Sequence, residues 1–211
     1  MITLTPGKFK KLLLNNKLPK KSITIDGDLN LSNCTGLKAL PEGLIVNGWL
    51  NLTNCTGLKA LPEGLIVNGW LDLTSCTSLT ALPDGLKVDG SLNLYDCTGL
   101  TALSEGLRVD GDLNLSNCTG LKALPNGLRA GGWLNLTNCT GLTALPDGLR
   151  IGGWLDLTNC TSIKSFYNIT IKGEVFADET VINNIPFNEL PLYINVPFET
   201  KTKELYLNRI K

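Results

Sequence analysis

Histidine is absent from this sequence of 211 residues. Imidazole is the commonest general base and metal ligand near neutral pH, so its absence removes Ser–His and Cys–His nucleophiles and most metal sites. The carboxylates recur with the repeat described below, so no single pair is marked out for acid–base chemistry. We therefore predict that the protein is not an enzyme, and we expect no cofactor and no metal.

Long apolar runs and an excess of one charge are also missing. No stretch approaches the ~18 apolar residues of a transmembrane helix. Lys plus Arg number 19, as do Asp plus Glu, so the formal net charge is zero. Because binding to DNA or anionic lipid through overall charge needs a basic face, we expect neither nucleic acid nor membrane as a partner. The N-terminus lacks the order of charge, apolar stretch and small residues that defines a signal peptide.

The cysteines all occupy one regularly spaced position. There are seven, each 21 residues from the next, so they belong to a repeat. Their odd number and the lack of close pairs argue against a disulfide framework and against zinc. We interpret them as buried reduced thiols, which are typical of a reducing cytoplasm. The seven are Cys34, Cys55, Cys76, Cys97, Cys118, Cys139 and Cys160.

A repeat with the pattern G-x-L-x-L-x-x-C-T-x-L-x-x-L-P-x-G-L-x-V-x organises most of the chain. Leu50 and Leu52 alternate with Trp49, which predicts a strand with one buried face. Leu65 and Val67 form a second alternating pair beyond a Pro-x-Gly turn. Twenty-one residues leave no room for a full helix, so we predict a mainly β repeat solenoid of stacked coils with a parallel sheet. A 3₁₀ turn fits near the Leu-Pro. The repeats start at Gly27, Gly48, Gly69, Gly90, Gly111, Gly132 and Gly153.

The pattern divides the chain into one continuous domain with four parts. Residues 1–26 are predicted to form an N-terminal cap with a short helix beginning at Pro6, followed by a strand. Residues 27–165 hold seven coils, and residues 166–186 form a degenerate eighth coil without its cysteine. Residues 187–211 are predicted to be an irregular C-terminal cap, because a terminal coil exposes apolar surface unless something covers it. A small partner-binding module is the alternative for that last segment.

The repeat resembles leucine-rich repeats, above all the short repeats of bacterial effectors and of bacterial or phage proteins. The resemblance covers about residues 18–186. One departure is that Asn47 stands where the family has a leucine, which predicts a flatter solenoid with a strand-like far side. No ubiquitin-ligase domain follows the repeats, so that activity of some effectors is not carried over. The resemblance is carried by Leu50, Leu52, Cys55, Leu58, Leu61, Pro62 and Leu65.

The resemblance implies a protein partner, because members of this family mostly bind proteins. It also implies a cytoplasmic location, or export by a non-Sec route as an effector. Sequons in nearly every repeat agree, because a eukaryotic secretory route would place glycans on the packed coils. We expect a monomer.

Alternation places three columns of side chains on the exposed face of the main sheet, and all four tryptophans share the first column. Exposed large aromatics on a rigid sheet are typical of a contact surface. The second column, which is rich in Asn, suggests a ladder of amide hydrogen bonds between coils. We predict partner binding by Trp49, Trp70, Asp72, Tyr95, Asp112, Trp133, Trp154 and Asp156.

Three alternatives stay open for this face. Trp pairs beside Asn and Asp are also typical of a carbohydrate-binding surface. The array is purely structural if adjacent Trp rings stack on each other and only stabilise neighbouring strands. A regular row of threonines allows an ice-binding array, although a Thr at a turn is more often a local hydrogen-bond donor. That row is Thr35, Thr56, Thr77, Thr98, Thr119, Thr140 and Thr161.

Overall fold

The chain winds into a parallel β-solenoid of about eight turns. The structure is a computed structural model, and it describes residues 1–19, 21–166, 168–178 and 180–181. A mainly β repeat solenoid with a short N-terminal helix was predicted from the alternation, and this prediction is confirmed. The irregular cap predicted over residues 187–211 lies outside the described residues.

The strands are short and alternate between two sides of each coil. In chain order the elements are β1 (Ile2–Leu4), α1 (Pro6–Leu14), β2 (Ile23–Ile25), β3 (Leu29–Asn30), β4 (Ile45–Val46), β5 (Leu50–Asn51), β6 (Ile66–Val67), β7 (Leu71–Asp72), β8 (Lys87–Val88), β9 (Leu92–Asn93), β10 (Arg108–Val109), β11 (Leu113–Asn114), β12 (Arg129–Ala130), β13 (Leu134–Asn135), β14 (Arg150–Ile151), β15 (Leu155–Asp156), β16 (Thr170–Ile171) and β17 (Val175–Phe176).

Two parallel sheets run along the solenoid on adjoining sides. Sheet A has nine strands in the order β1-β2-β4-β6-β8-β10-β12-β14-β16, and sheet B has eight, from β3 through the odd-numbered strands to β17. In sheet A the N–H groups donate toward the preceding coil, as Asn47 N–H does to the Ile25 carbonyl (3.0 Å). In sheet B they donate toward the following coil, as Leu29 N–H does to the Trp49 carbonyl (2.8 Å). Each coil is therefore bonded to both neighbours on both sides.

A third side of the coil, between the Cys turn and the Leu-Pro, is extended but loosely paired. Its ladder includes Thr101 N–H donating to the Thr80 carbonyl (3.1 Å) and a bridge between Ala60 and Ala81. Among the described residues no 3₁₀ turn occurs. Because the residue before a proline is disfavoured in the helical region, the Leu-Pro holds this side extended instead.

The core repeats the same inward set in every coil. In the second coil these side chains are all buried, which confirms the prediction made from the alternation. Each buried aliphatic side chain contributes roughly 1.5–3 kcal/mol, but a single coil has no neighbour to bury its ends. The array is therefore stable only as a stack. The inward residues of the second coil are Leu50, Leu52, Cys55, Leu58, Leu61, Leu65 and Val67.

The N-terminal cap closes the first coil with a helix and a strand. Helix α1 begins at Pro6 as predicted, and Phe9 on its inner face is fully buried. Strand β1 was not predicted. It pairs with β2 with Thr3 opposite Thr24, which adds a ninth strand to sheet A. Three residues are too few to show a period, and β1 reaches β2 only because α1 reverses the chain.

Glycine occupies every corner where successive coils approach closely, and it is the commonest residue at the Cys turn, where Ser78 and Ser162 also occur. The N–H of Gly48 donates to the Gly27 carbonyl (3.1 Å) at the corner between the two sheets. At the Cys turn, a methyl group on Gly57 would collide with the carbonyl oxygen of Thr35 in the coil below. Gly36 holds the same repeat position in the first coil, where no coil lies below, and a methyl group there meets nothing within 4 Å.

The matched pair Gly57→Ala and Gly36→Ala tests this stacking. We expect Gly57→Ala to lower the free energy of unfolding by about 1–3 kcal/mol, because the backbone carbonyl of Thr35 has to shift. Gly36→Ala should stay within about 0.5 kcal/mol of the parent, since its methyl group projects into open space. Urea unfolding followed by circular dichroism measures both. Equal midpoints for the two variants would contradict the stacking argument.

Ser104 interrupts a proline column and leaves a buried hydroxyl unpaired. Its exposed fraction is 7%, and its Oγ has no hydrogen-bond partner among the described residues. A buried polar group without a partner costs roughly 1–3 kcal/mol. The equivalent positions in the other coils of this region hold Pro41, Pro62, Pro83, Pro125 and Pro146.

Ser104→Pro should therefore raise the free energy of unfolding by about 1–2 kcal/mol, through loss of the unpaired hydroxyl and a stiffer unfolded chain. The reverse change, Pro125→Ser, should lower it by a similar amount. Thermal unfolding of both variants beside the parent gives the measurement. A lower melting temperature for Ser104→Pro would mean that this coil needs serine for its own backbone path.

Candidate partner-binding face

The solvent side of sheet B carries the predicted site residues, and we call it the tryptophan face. It consists of the three columns that begin at Asp28, Asn30 and Ser32. The exposed fraction is 68% for Trp70, 56% for Trp154 and 36% for Trp49, while Trp133 is half-buried. The face therefore presents large apolar rings to solvent on a rigid sheet.

The indole rings lie against the backbone of the following coil. Trp70 Cδ1 lies 2.5 Å from the place where a Cβ on Gly90 would be, and Trp154 Cδ1 lies 2.6 Å from that place on Gly173. The missing side chains make room for both rings. In the part of the chain that the structure describes, the one ring–ring contact joins Trp154 to Phe176 at 6.1 Å, edge to face. Neighbouring tryptophans do not stack on each other, in contrast to the structural alternative.

A pocket of about 180 Å³ opens at the C-terminal end of the face. Its aromatic walls are Trp133, Trp154 and Phe176, and Asp156 and Asn135 supply polar atoms beside them. Phe176 was missed as a site residue. The signal was present, because the Val175-Phe176 strand continues the repeat register and places Phe176 directly beside Asp156 in the second column.

The second column makes turns within each coil. Asp72 Oδ1 accepts the Thr74 N–H (2.9 Å) and the Thr74 hydroxyl (2.7 Å), and Asn51 Oδ1 accepts the Thr53 N–H (2.9 Å). These are Asx turns, in which a side-chain oxygen binds the backbone two residues later. The prediction of an inter-coil amide ladder in this column is therefore wrong. Asn and Asp are equivalent for the turn, so a charge at Asp72 is not needed for the fold.

The amide ladder lies instead in the column just before the cysteines. Asn54 Nδ2 donates to Asn33 Oδ1 (2.9 Å), and Asn138 Nδ2 donates to Asn117 Oδ1 (2.8 Å). The backbone there is left-handed, with φ of 58° at Asn54. Asn tolerates that conformation better than most residues, so backbone geometry selects the column and the amides then pair.

Two aspartates in the first column hold the strand that follows them. Asp112 Oδ1 accepts the backbone N–H of Trp133 (3.0 Å), just as Asp28 Oδ1 accepts that of Trp49 (3.0 Å). Asp112 thus has a structural contact as well as its predicted role in binding. Tyr95, 41% exposed, lies between the two tryptophan pairs in the third column.

The two sheets carry opposite charge. None of the positions in the three columns of the tryptophan face holds Lys or Arg, whereas six hold a carboxylate: Asp28, Asp72, Asp112, Asp156, Glu174 and Asp178. On sheet A, Arg108, Arg129 and Arg150 stand in register on adjacent strands beside a groove of about 440 Å³. The net charge of zero therefore conceals an acidic face and a basic one.

Comparison with known proteins gives no relative: no protein-family model, curated protein or solved structure matches this chain. No helix in the described ranges is long and apolar enough to cross a bilayer. Nor do the described residues contain a cluster of three or more side chains of the kinds that hold metal ions. The assignment of a function to the tryptophan face therefore rests on its geometry and charge alone.

The cysteines form a second ladder, buried behind the tryptophan face. Each thiol from Cys55 onward donates to a leucine carbonyl of the preceding coil, at 2.9–3.2 Å. For Cys55 the acceptor is Leu31, whose carbonyl also accepts the Cys34 N–H (3.2 Å) that closes the turn below. Cys34 has no coil beneath it and is half-buried. The thiols therefore connect successive turns.

Burial raises the pKa of the Cys55 thiol to about 11 and those of Cys76, Cys118, Cys139 and Cys160 to about 12. It raises the pKa of Cys97 as well, and the thiols above and below add to that shift. Thiolates are the reactive form of cysteine, so these six groups are inert near neutral pH. All seven cysteines are free thiols.

We expect stability to fall above about pH 9, where thiols of the unfolded chain ionise while the buried ones stay protonated. A raised folded pKa stabilises below the unfolded pKa, and that contribution is lost as pH rises toward the folded pKa. Each thiol should remove about 1.4 kcal/mol per pH unit in that window. Urea midpoints across the window measure the slope. Cys118→Ala should make the slope shallower, and an unchanged slope would contradict this origin.

Proposed function

We propose that this chain is a non-enzymatic protein–protein interaction module whose tryptophan face binds a Lys- or Arg-bearing segment of a partner protein. The observation that carries the proposal is the pocket lined by the rings of Trp133, Trp154 and Phe176 together with Asp156. Aromatic faces attract cations through their quadrupole, and a carboxylate beside them adds a charge-assisted hydrogen bond. A basic side chain satisfies both.

The organisation of the face supports this choice. The Trp70 and Trp154 rings are held against Gly90 and Gly173, so little conformational freedom remains to be lost on binding. Exposed Trp is the residue type most enriched among binding hot spots. The three columns of the face hold no Lys or Arg, so no basic side chain there competes with a cationic ligand for the carboxylates.

The array is best regarded as a leucine-rich-repeat-like module of a bacterial or phage protein. Support comes from the stacked parallel strands and from the cysteine column, whose thiols bond the turn of the preceding coil. In leucine-rich repeats the equivalent Asn or Cys likewise packs under the loop after the strand. Free thiols support a reducing compartment such as the cytoplasm. We propose a monomer that acts there or as an exported effector.

Carbohydrate binding is the second candidate, and one observation favours it. Trp154 is broadly exposed beside the polar atoms of Asn135 and Asp156, as a sugar ring stacked on indole would require. A neutral sugar would not need the negative charge of Asp156, however, whereas a basic segment would. The two candidates therefore differ in their dependence on charge and salt.

Asp156→Asn isolates that charge. Asn fills this position in neighbouring coils and makes the same turn, so the fold should be retained. We expect about a tenfold loss of affinity for an Arg/Lys-rich peptide, and a larger loss for Trp154→Ala. Isothermal titration at low and high salt gives both values, with Asp147→Asn, an exposed acid outside the face, as the control.

Equal affinity of Asp156→Asn and the parent, together with hits on a glycan array, would favour the carbohydrate candidate. If Trp154→Ala and Trp49→Ala/Trp70→Ala leave peptide and glycan binding unchanged, the face is only structural. Thermal unfolding should be nearly the same for all these variants, because the substituted side chains are at the surface.

A further inference from the structure

The three columns of the tryptophan face repeat after four coils, and three coils of the repeat are the same in both copies. Residues 27–40 are identical to residues 111–124, and residues 48–58 are identical to residues 132–142. Neighbouring coils also share long stretches, since residues 33–50 are identical to residues 54–71, but within one copy they differ in the columns of the tryptophan face. The first column runs Asp28, Trp49, Trp70 and Ser91, and then begins again with Asp112, Trp133 and Trp154.

The two copies differ mainly on the other side of the coil. Residues 42–47 read EGLIVN, and their counterparts 126–131 read NGLRAG. On sheet A, Ile45 thus corresponds to Arg129, while the sheet B strands of the same coils are unchanged. If the fold alone determined which residues match, we would expect the strands of both sheets to match equally well, because both sheets have hydrogen bonds between coils. The identity between the copies covers the tryptophan face and the Cys turn, and it ends before the strands of sheet A.

Side-chain geometry repeats along with the sequence. In both copies an aspartate oxygen accepts the N–H of the first Trp at 3.0 Å. In both, the second Trp ring covers the glycine of the next coil. The acid beside that ring, Asp72 or Asp156, accepts a Thr N–H at 2.9 Å. The two places therefore share these contacts, and they differ in the following coil, where Asn93 stands beside Asp72 and Phe176 stands beside Asp156.

We propose that these are two corresponding subsites, Trp49–Trp70–Asp72 and Trp133–Trp154–Asp156, that bind one extended polypeptide segment with basic side chains about six residues apart. This inference rests on the proposed function. Four coils at about 4.8 Å per strand separate the subsites by about 19 Å, and an extended chain covers that distance in about six residues at about 3.3 Å each.

Symmetry favours a linear ligand. The subsites are related by a step along the solenoid, so they point the same way. A two-fold symmetric partner presents its two contacts in opposite orientations and fits this arrangement poorly. A segment that repeats its basic residue along one direction fits it directly. Between the subsites the first column holds Ser91, whose small side chain leaves the path across the face open.

Synthetic Gly/Ser peptides with an Arg-Lys motif test the spacing. One peptide has a single motif, and the others carry two motifs at intervals of about three, six or ten residues. We expect the six-residue spacing to bind at least about tenfold more tightly than the single motif, because the second contact becomes intramolecular. Isothermal titration should give one such peptide per chain, and two single-motif peptides per chain.

Variants identify the subsites. Trp49→Ala/Trp70→Ala and Trp133→Ala/Trp154→Ala should each reduce the spaced peptide to the affinity of the single motif and reduce the stoichiometry of the single motif to one. The fourfold variant should bind neither. Asp72→Asn/Asp156→Asn serves as a second test if a Trp variant unfolds, since Asn preserves the turn and should weaken both contacts.

Each outcome has one meaning. Binding of the single motif at one site, with no effect of spacing, overturns the paired subsites and leaves the proposed function standing. Failure of every peptide to bind overturns both the paired subsites and the proposed recognition of basic segments. Binding that survives the fourfold variant places the peptide elsewhere and also overturns the inference.

Discussion

The structure depends on one constraint, the vertical contact between backbones of successive coils. The N–H groups of each coil donate to the preceding coil in sheet A and to the following coil in sheet B, so a distortion in one coil affects both neighbours. The contact is close at the corner glycines, which recur in all seven coils and from Gly48 onward leave no room for a methyl group. Every other feature follows from it, because a column of identical side chains forms wherever identical positions stack.

Stacking also decides how far sequence alone predicts the molecule. The alternation around Leu50 predicts the buried set and the exposed columns, because both are properties of a single coil. The orientation of Trp70 is set by Gly90 in the next coil. The alternation of buried and exposed residues within one strand does not predict that contact between coils. Strand β1 and the role of the Asn column were missed for the same reason. Both depend on partners that local sequence does not specify.

The distribution of charge over the surface cannot be read from the composition. A formal net charge of zero argues against electrostatic binding only if the charges are evenly mixed. Here the tryptophan face carries carboxylates without Lys or Arg, whereas the C-terminal half of sheet A carries a row of arginines beside Asp110. The solenoid does this because each exposed position is multiplied into a column. A local choice, such as Arg108 on β10 or Asp72 on β7, becomes part of a field that extends along a whole face. The tryptophan face is thus acidic although the chain has a formal net charge of zero.

The residues of the scaffold and those of the candidate site repeat with different periods. Leu, Cys and the corner Gly recur in nearly every coil, because every coil meets the same neighbour contacts. Trp49 and Asp72 have their equivalents four coils later, at Trp133 and Asp156. One scaffold contact shares that longer period, the bond from Asp28 or Asp112 to the strand of the next coil. Backbone stacking accounts for the short period and gives no reason for the long one. A ligand that spans several coils would give that reason, since it contacts the face at intervals set by its own repeat.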